Sequence, residues 1–327
     1  MPKLKLAAYC AAGCGGCDIG ILEIHEMLLD LAAAAEIVFW PTATDFKYGD
    51  VERMADAEID VCLFNGAIRS EENERIARLL RAKSRVLVAF GACSAYGGIP
   101  GLGNLYDPGA GLERAFTTES TLNPEGTRPQ LAWTSPNGDV VELPALSESV
   151  RALAQVVSVE YTVPGCAPID ARVREIVTAL LEGALPPAPA ILGAGTRSVC
   201  DECTMEKRGT RVGSFRRPHE FIPDGTTCLM EQGVVCMGPA TRSGCGAQCT
   251  SVNLPCRGCY GPAGDTRDQA SKMIAAIGCM VEPEDEGAIT AAVDEIADPA
   301  GTFYRFTLPV SVLGRSRVRD TSERTTR

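Results

Sequence analysis

The sequence predicts an α/β protein built as a doubly wound parallel sheet, followed by a mostly irregular, cysteine-rich domain with short helices. Three observations carry this expectation. Apolar runs of strand length alternate with helical patterns through the first half, the order that produces a parallel sheet covered on both faces. A run of Gly, Pro and Ala at 183–190 closes that half. Beyond it, across 200–262, apolar periodicity gives way to Gly, Pro and eight cysteines.

The candidate strands are 5–10, 36–41, 60–66, 85–91 and 156–163. Each is rich in Val, Ile, Leu or Phe and ends in Gly, Pro or a polar turn, as strands buried on both faces do. Between them, 18–34 reads as one helix with Ile21, His25, Leu28 and Ala32 on its apolar face. The helix at 70–82 opens with Ser70, Glu71 and Glu72 and closes with Arg78, Arg81 and Lys83, charges that suit the helix dipole at each end. A third, 169–182, follows Pro168 and stops at Gly183. This is a flavodoxin-like arrangement. Across 97–147 the periodicity fades, which predicts an insertion with one hairpin around 133–141 turned by Asn137-Gly138. The expected organisation is therefore a flavodoxin-like domain at 1–183, a second domain at 184–314 with helices near 268–277 and 284–297, and a polar tail at 315–327. The stretch 200–262 looks too poor in periodic apolar residues to build a hydrocarbon core alone, so metal groups are expected to stand in for one.

With 45% hydrophobic and 22% charged residues the chain is of the soluble globular class. No apolar run approaches bilayer length, so no membrane span is expected. A net charge of −11 would repel a phosphate backbone, which makes nucleic acid an unfavourable partner. The start, MPKLKLAAYC, has neither a secretory core nor a twin-arginine leader, and the expected compartment is the cytoplasm. Fifteen cysteines in such a compartment point to thiols and metal ligands rather than disulfides.

In an open parallel sheet, ligands gather outside the carboxyl ends of the strands. Cys14 and Cys17 lie in the Gly-rich turn after the first strand, Cys93 directly follows the fourth, and Cys166 follows the fifth. Four sulfurs thus converge on one edge. Glycines at 13, 15, 16, 91, 97, 98 and 165 let backbone N–H groups approach them, as an anionic iron–sulfur cluster requires. The set Cys10-x3-Cys14-x2-Cys17 offers a third nearby thiol, but strand direction favours the Cys14/Cys17 pair. Phosphate binding is the weaker reading, because Gly98-x-x-Gly101-x-Gly103 has no helix signal after it and no Walker lysine. The second half supplies Cys200, Cys203, Cys228, Cys236, Cys245, Cys249, Cys256 and Cys259, enough for two more four-cysteine sites. Structural zinc competes for paired CxxC motifs. Here the spacing from Cys228 to Cys249 breaks the paired pattern, and a chain of redox clusters explains more of it. Cys10 and Cys62 read as small buried hydrophobes, Cys279 is unassigned, and His25 and His219 read as a packed and a loop imidazole.

Cys14-Gly15-Gly16-Cys17-Asp18-Ile19, Gly91-Ala92-Cys93-Ser94-Ala95-Tyr96-Gly97-Gly98 and Pro164-Gly165-Cys166 resemble the proximal-cluster motifs of the [NiFe] hydrogenase small subunit, shared more distantly with the quinone-proximal subunit of complex I. Cys200-Asp201-Glu202-Cys203, the run from Cys228 to Cys236-Met237-Gly238-Pro239, and Cys256-Arg257-Gly258-Cys259-Tyr260-Gly261-Pro262 resemble the distal and medial motifs that the complex I subunit lacks. The absent leader, the all-cysteine distal set and Phe64-Asn65-Gly66-Ala67-Ile68-Arg69 resemble the cytoplasmic methyl-viologen-reducing (deazaflavin-non-reducing) type. Asp18 departs from the Glu often found there, and Ala167 from a common proline.

This resemblance implies three 4Fe-4S clusters: a proximal one on Cys14, Cys17, Cys93 and Cys166, a medial one on Cys245, Cys249, Cys256 and Cys259, and a distal one on Cys200, Cys203, Cys228 and Cys236. It implies no NiFe centre and no catalytic residue on this chain. The expected partners are a [NiFe] large subunit and an iron–sulfur or flavin acceptor subunit of heterodisulfide-reductase type. The alternatives are an NAD(P)-linked or deazaflavin-linked hydrogenase, a complex-I-like quinone-linked module, and a zinc scaffold with no redox role.

Overall fold

The computed structural model describes residues 3–282 and 285–314; the polar tail expected at 315–327 lies outside them. Six parallel strands form the main sheet in the order β2-β1-β3-β5-β9-β10, with β1 (Leu4–Cys10), β2 (Ala35–Phe39), β3 (Ile59–Asn65), β5 (Ser84–Phe90), β9 (Tyr161–Val163) and β10 (Ala190–Ile191). That is the flavodoxin-like order with one added edge strand. β10 arises where the expected linker ends, and Ala190 pairs with Tyr161.

The near-continuous apolar runs follow from burial of both faces. Tyr9, Cys62, Phe64 and Leu87 pack on one side against Ile76 and Leu80 of α4 (Glu71–Lys83). Ala8, Val61, Val88 and Phe90 pack on the other against α1 (Gly16–Leu22), Ile24, and α7 (Asp170–Leu181). The alternation between faces is the two-residue period of a strand. At the start of α4 the Asn73 amide donates to the Ser70 hydroxyl (3.3 Å) while the Ser70 amide donates to the Asn73 side chain (3.2 Å), a reciprocal cap.

Cys62, as expected, is a fully buried hydrophobe, and burial pushes its thiol up to about 12 from 9.0. A raised folded-state value means that the stability tied to the neutral thiol is complete below pH 9 and drains away as pH climbs through 12. Thermal melts across that window should therefore fall less steeply for Cys62→Ala than for the parent chain.

Several expectations are corrected. The helix at 18–34 is two helices, α1 and α2 (Met27–Ala34), broken at His25, which adopts φ 53°. His25 is exposed at that break, and the buried large apolar side chains are Ile21, Ile24 and Leu31. Neither Gly nor Pro marks the break, so periodicity alone merges the two. The fifth strand shrinks to β9, preceded by a 3-10 turn at Leu153–Gln155. Cys10 is half-buried at the end of β1 rather than enclosed. Between β4 (Ile68–Ser70) and β8 (Leu146–Arg151), which pair antiparallel, the insertion carries the anticipated hairpin, β6 (Ala132–Thr134) and β7 (Val140–Glu142), with Trp133 opposite Val141. It also holds an unanticipated 3-10 helix, Ile99–Leu105, and α6 (Pro108–Thr117), so helical structure does follow the Gly98–Gly103 loop.

The second half does possess a hydrocarbon core. Val199, Phe215, Leu229, Met230 and Val234 pack against Met273 and Ile277 of α9 (Gln269–Met280), Ile296, and Phe303 of α11 (Pro299–Phe303). Its residues come from loops and helices without a common period, which hides it from pattern analysis. The helix α10 (Glu286–Asp294) lies between α9 and α11 in sequence. The segment from Phe306 to Pro309 is strapped to the first half: the Gly98 amide donates to Phe306 O (3.0 Å) and the Gln155 side chain to Pro309 O (2.8 Å). Among the described residues no helix is long and apolar enough to cross a membrane.

Candidate metal centres

The carboxyl ends of β1, β5 and β9 feed three loops into one recess lined by Cys14, Cys17, Cys93 and Cys166. The loops are tied together by main-chain bonds. Gly91 and Ala92 donate to Val163 O (2.8 Å) and Gly165 O (2.7 Å), and Ala12 and Ala67 exchange a reciprocal pair (3.0 and 2.8 Å). Backbone comes very close to sulfur here. A Cβ on Gly91 (φ 86°) would stand 2.3 Å from Cys17 Sγ, and one on Gly98 (φ 57°) 2.5 Å from Cys93 Sγ, so only glycine is accommodated at either position. Burial pushes the Cys93 thiol up to about 11, and the Cys166 and Cys14 sulfurs push it further in the same direction. Cys17 is driven up by burial and then by its neighbouring sulfurs, Cys93 first. Such a group ionises only when cationic charge arrives among the sulfurs. Asp18, beneath the recess, is buried; its Oδ1 accepts from Trp40 Nε1 (3.2 Å) and Asn65 Nδ2 (3.0 Å).

A second recess is lined by Cys200, Cys203, Cys228 and Cys236. A 3-10 turn, Val199–Asp201, presents the first pair. Burial pushes the Cys200 thiol up to about 11, while the Lys207 ammonium pulls the other way. Cys245, Cys249, Cys256 and Cys259 form the third group. Burial raises Cys256 and Cys259 to about 12 each. Cys259 and Cys245 then raise Cys256, and Cys245, Cys166 and Cys249 raise Cys259.

The three groups adjoin in space. The Cys166 sulfur lies near enough to raise the Cys259 thiol, linking the first group to the third, and the Cys256 N–H donates to Cys236 Sγ (3.2 Å), linking the third to the second. Cys236 thus borders both groups of the second half. Cys62 and Cys279 stand apart, one enclosed and one exposed on α9, whereas Cys10 feels Asp18 and Cys14 at the rim of the first recess. His219 is exposed in a loop.

Among the described residues no three His, Cys, Asp or Glu side chains could hold a single metal ion. The four-thiol recesses and the glycine cradles are of the kind an anionic iron–sulfur cluster requires.

Glu202 escaped the sequence reading. Its carboxylate accepts from Gly244 N (2.8 Å) and Gly246 N (3.1 Å), clasping the loop that carries Cys245 from the turn that carries Cys200 and Cys203. No local signal marks this, since its partners are 42 and 44 residues away. Glu202→Ala should cost about 2 kcal/mol by leaving two charge-assisted bonds unmade, seen as a lower thermal midpoint, with Glu202→Gln between the two because an amide oxygen still serves one N–H.

The sequence matches the family described as NADH ubiquinone oxidoreductase, 20 Kd subunit, over residues 14–180. It is 38% identical over 320 residues to an F420-non-reducing hydrogenase iron-sulfur subunit of Archaeoglobus profundus, covering 95% of this chain and 98% of that one. Identity is also 38% over 315 residues with an F420-non-reducing hydrogenase vhu subunit of Methanocaldococcus jannaschii, covering 95% and 97%. Among solved structures, a chain of the [NiFeSe] hydrogenase from Desulfovibrio vulgaris Hildenborough superposes with a TM-score of 0.50 at 16% identity, over 82% of this chain and 96% of that one, a likeness of fold.

Proposed function

Because the chain belongs to the iron–sulfur small-subunit family of F420-non-reducing [NiFe] hydrogenases, we propose that it relays electrons in single file between its large subunit and an acceptor subunit. Such small subunits are oxidoreductase components that carry iron–sulfur clusters and pair with a large subunit holding the catalytic site. The finer reading is three 4Fe-4S clusters: proximal on Cys14, Cys17, Cys93 and Cys166, medial on Cys245, Cys249, Cys256 and Cys259, distal on Cys200, Cys203, Cys228 and Cys236. Bound there, the clusters supply one-electron chemistry at potentials tuned by burial and by N–H bonds to sulfur.

The observation that carries this reading is the adjacency of the quartets: the Cys256 N–H donates to Cys236 Sγ (3.2 Å) and the Cys166 sulfur lies near enough to raise the Cys259 thiol, an order of proximal, medial, distal. The chain's own work is positioning. Its loops hold twelve thiols against mutual repulsion, its glycines bring amide dipoles to the sulfurs, and packing keeps water from Cys236 and Cys256. The sheet-edge loops around Cys14 and Cys166, both exposed in the chain alone, suit the large-subunit interface. An acceptor of heterodisulfide-reductase type and a cytoplasmic setting complete the proposal.

Anaerobic purification tests it. The protein should carry about twelve iron and about twelve acid-labile sulfide per chain with a broad charge-transfer band; colourless protein containing zinc would overturn it. Co-purification with heterodisulfide-reductase subunits checks the acceptor, and an unrelated acceptor in that position would refute that part alone.

A further inference from the structure

Beside the third cysteine group, the second half holds an open cleft of about 320 Å³ lined by Arg216, Arg217, Arg257 and Arg305, with Glu295 and Asp298 on the same walls. In a chain of net charge −11 this concentration of guanidinium is unexpected. Both acids are engaged by main chain: Glu295 Oε2 accepts from Phe215 N (2.7 Å) and Asp298 Oδ1 from Gly301 N (3.0 Å). Among the described residues none of the four arginines closes an ion pair. Two are already oriented. Arg305 donates from Nε to Gly301 O (3.1 Å), and Arg216 lies over the Phe221 ring at 5.1 Å. Partial burial, and then the like charge of Arg257, hold Arg305 below the usual guanidinium range.

The geometry points to a binding site for a phosphate-type dianion between Arg257 and Arg305. Four guanidiniums against two carboxylates leave two positive charges unbalanced, and the planar fork of arginine matches a tetrahedral oxyanion bidentately. Cys256 borders the same cleft, so the anion would sit beside the proposed medial centre. Binding itself does not depend on the cluster assignment.

Calorimetric titration of the anaerobically purified hydrogenase complex with inorganic phosphate at low ionic strength tests this. The parent complex should take up one phosphate per chain. R257Q and R305Q should each weaken uptake about ten-fold or more with iron content unchanged, while R75Q, on the surface of α4, leaves it as it was. No uptake by the parent, or equal uptake in all variants, overturns the proposal. So does release of the large subunit by R257Q from a complex that takes up no phosphate, which would make the cleft a protein interface.

Discussion

Replacing Gly91 by alanine should strip the first recess of its metal. The new Cβ would lie 2.3 Å from Cys17 Sγ, and φ 86° is itself unfavourable for any side chain. The chain offers no compensating movement, because the Gly91 amide is bonded to Val163 O and the next residue to Gly165 O, the loop that carries Cys166. Shifting one wall therefore drags the opposite one. The expected result is a loss of about four iron and about four sulfide per chain, with most of the small subunit no longer co-purifying with the large one. Retention of full iron content in Gly91→Ala would show that Cys17 is not a ligand in this recess.

The second large effect concerns the middle of the relay. Cys259 is half-buried and its thiol is raised by burial and then by the Cys245, Cys166 and Cys249 sulfurs, so in the proposed scheme it borders both the proximal and the medial centre. Cys259→Ala should abolish hydrogen-driven reduction of the distal centre, followed by EPR. Exchange of H2 with D2O should persist, because the catalytic site lies on the large subunit. The separation of the two readouts is the diagnostic. Loss of exchange together with electron transfer would mean that the substitution disrupts assembly rather than the relay, and undiminished reduction of the distal centre would place the route elsewhere. Cys279→Ala, exposed on α9 and outside every quartet, is the matched control and should leave both unchanged.

Which parts of the molecule are readable from its residues follows from the range of the interactions involved. The parallel strands declare themselves because burial on both faces makes each an apolar run, and α4 because its cap and terminal charges lie within or next to its own thirteen residues. The convergence of Cys14, Cys17, Cys93 and Cys166 is legible too. A parallel sheet delivers every strand to the same edge, so a cysteine just after a strand is placed there by topology alone.

The break at His25, the core of the second half and the clasp of Glu202 on the Cys245 loop are not legible. A positive φ at a histidine has no sequence signature. The second core draws Val199, Leu229, Met273 and Phe303 from separate loops and helices, and no window of sequence contains enough of it to show a period. The adjacency of Cys236 to Cys256 likewise exists only once the intervening loop has folded back.

By itself, then, the amino-acid order determined the sheet, the edge at which four thiols meet, and a supply of eight more thiols, because periodicity and strand direction are local properties of the chain. Only the tertiary structure decided the order in which the three groups of sulfur adjoin, the glycine positions at which backbone touches sulfur, and the cleft of arginines. Those are contacts between segments far apart in sequence, and the packing that joins them sets their geometry.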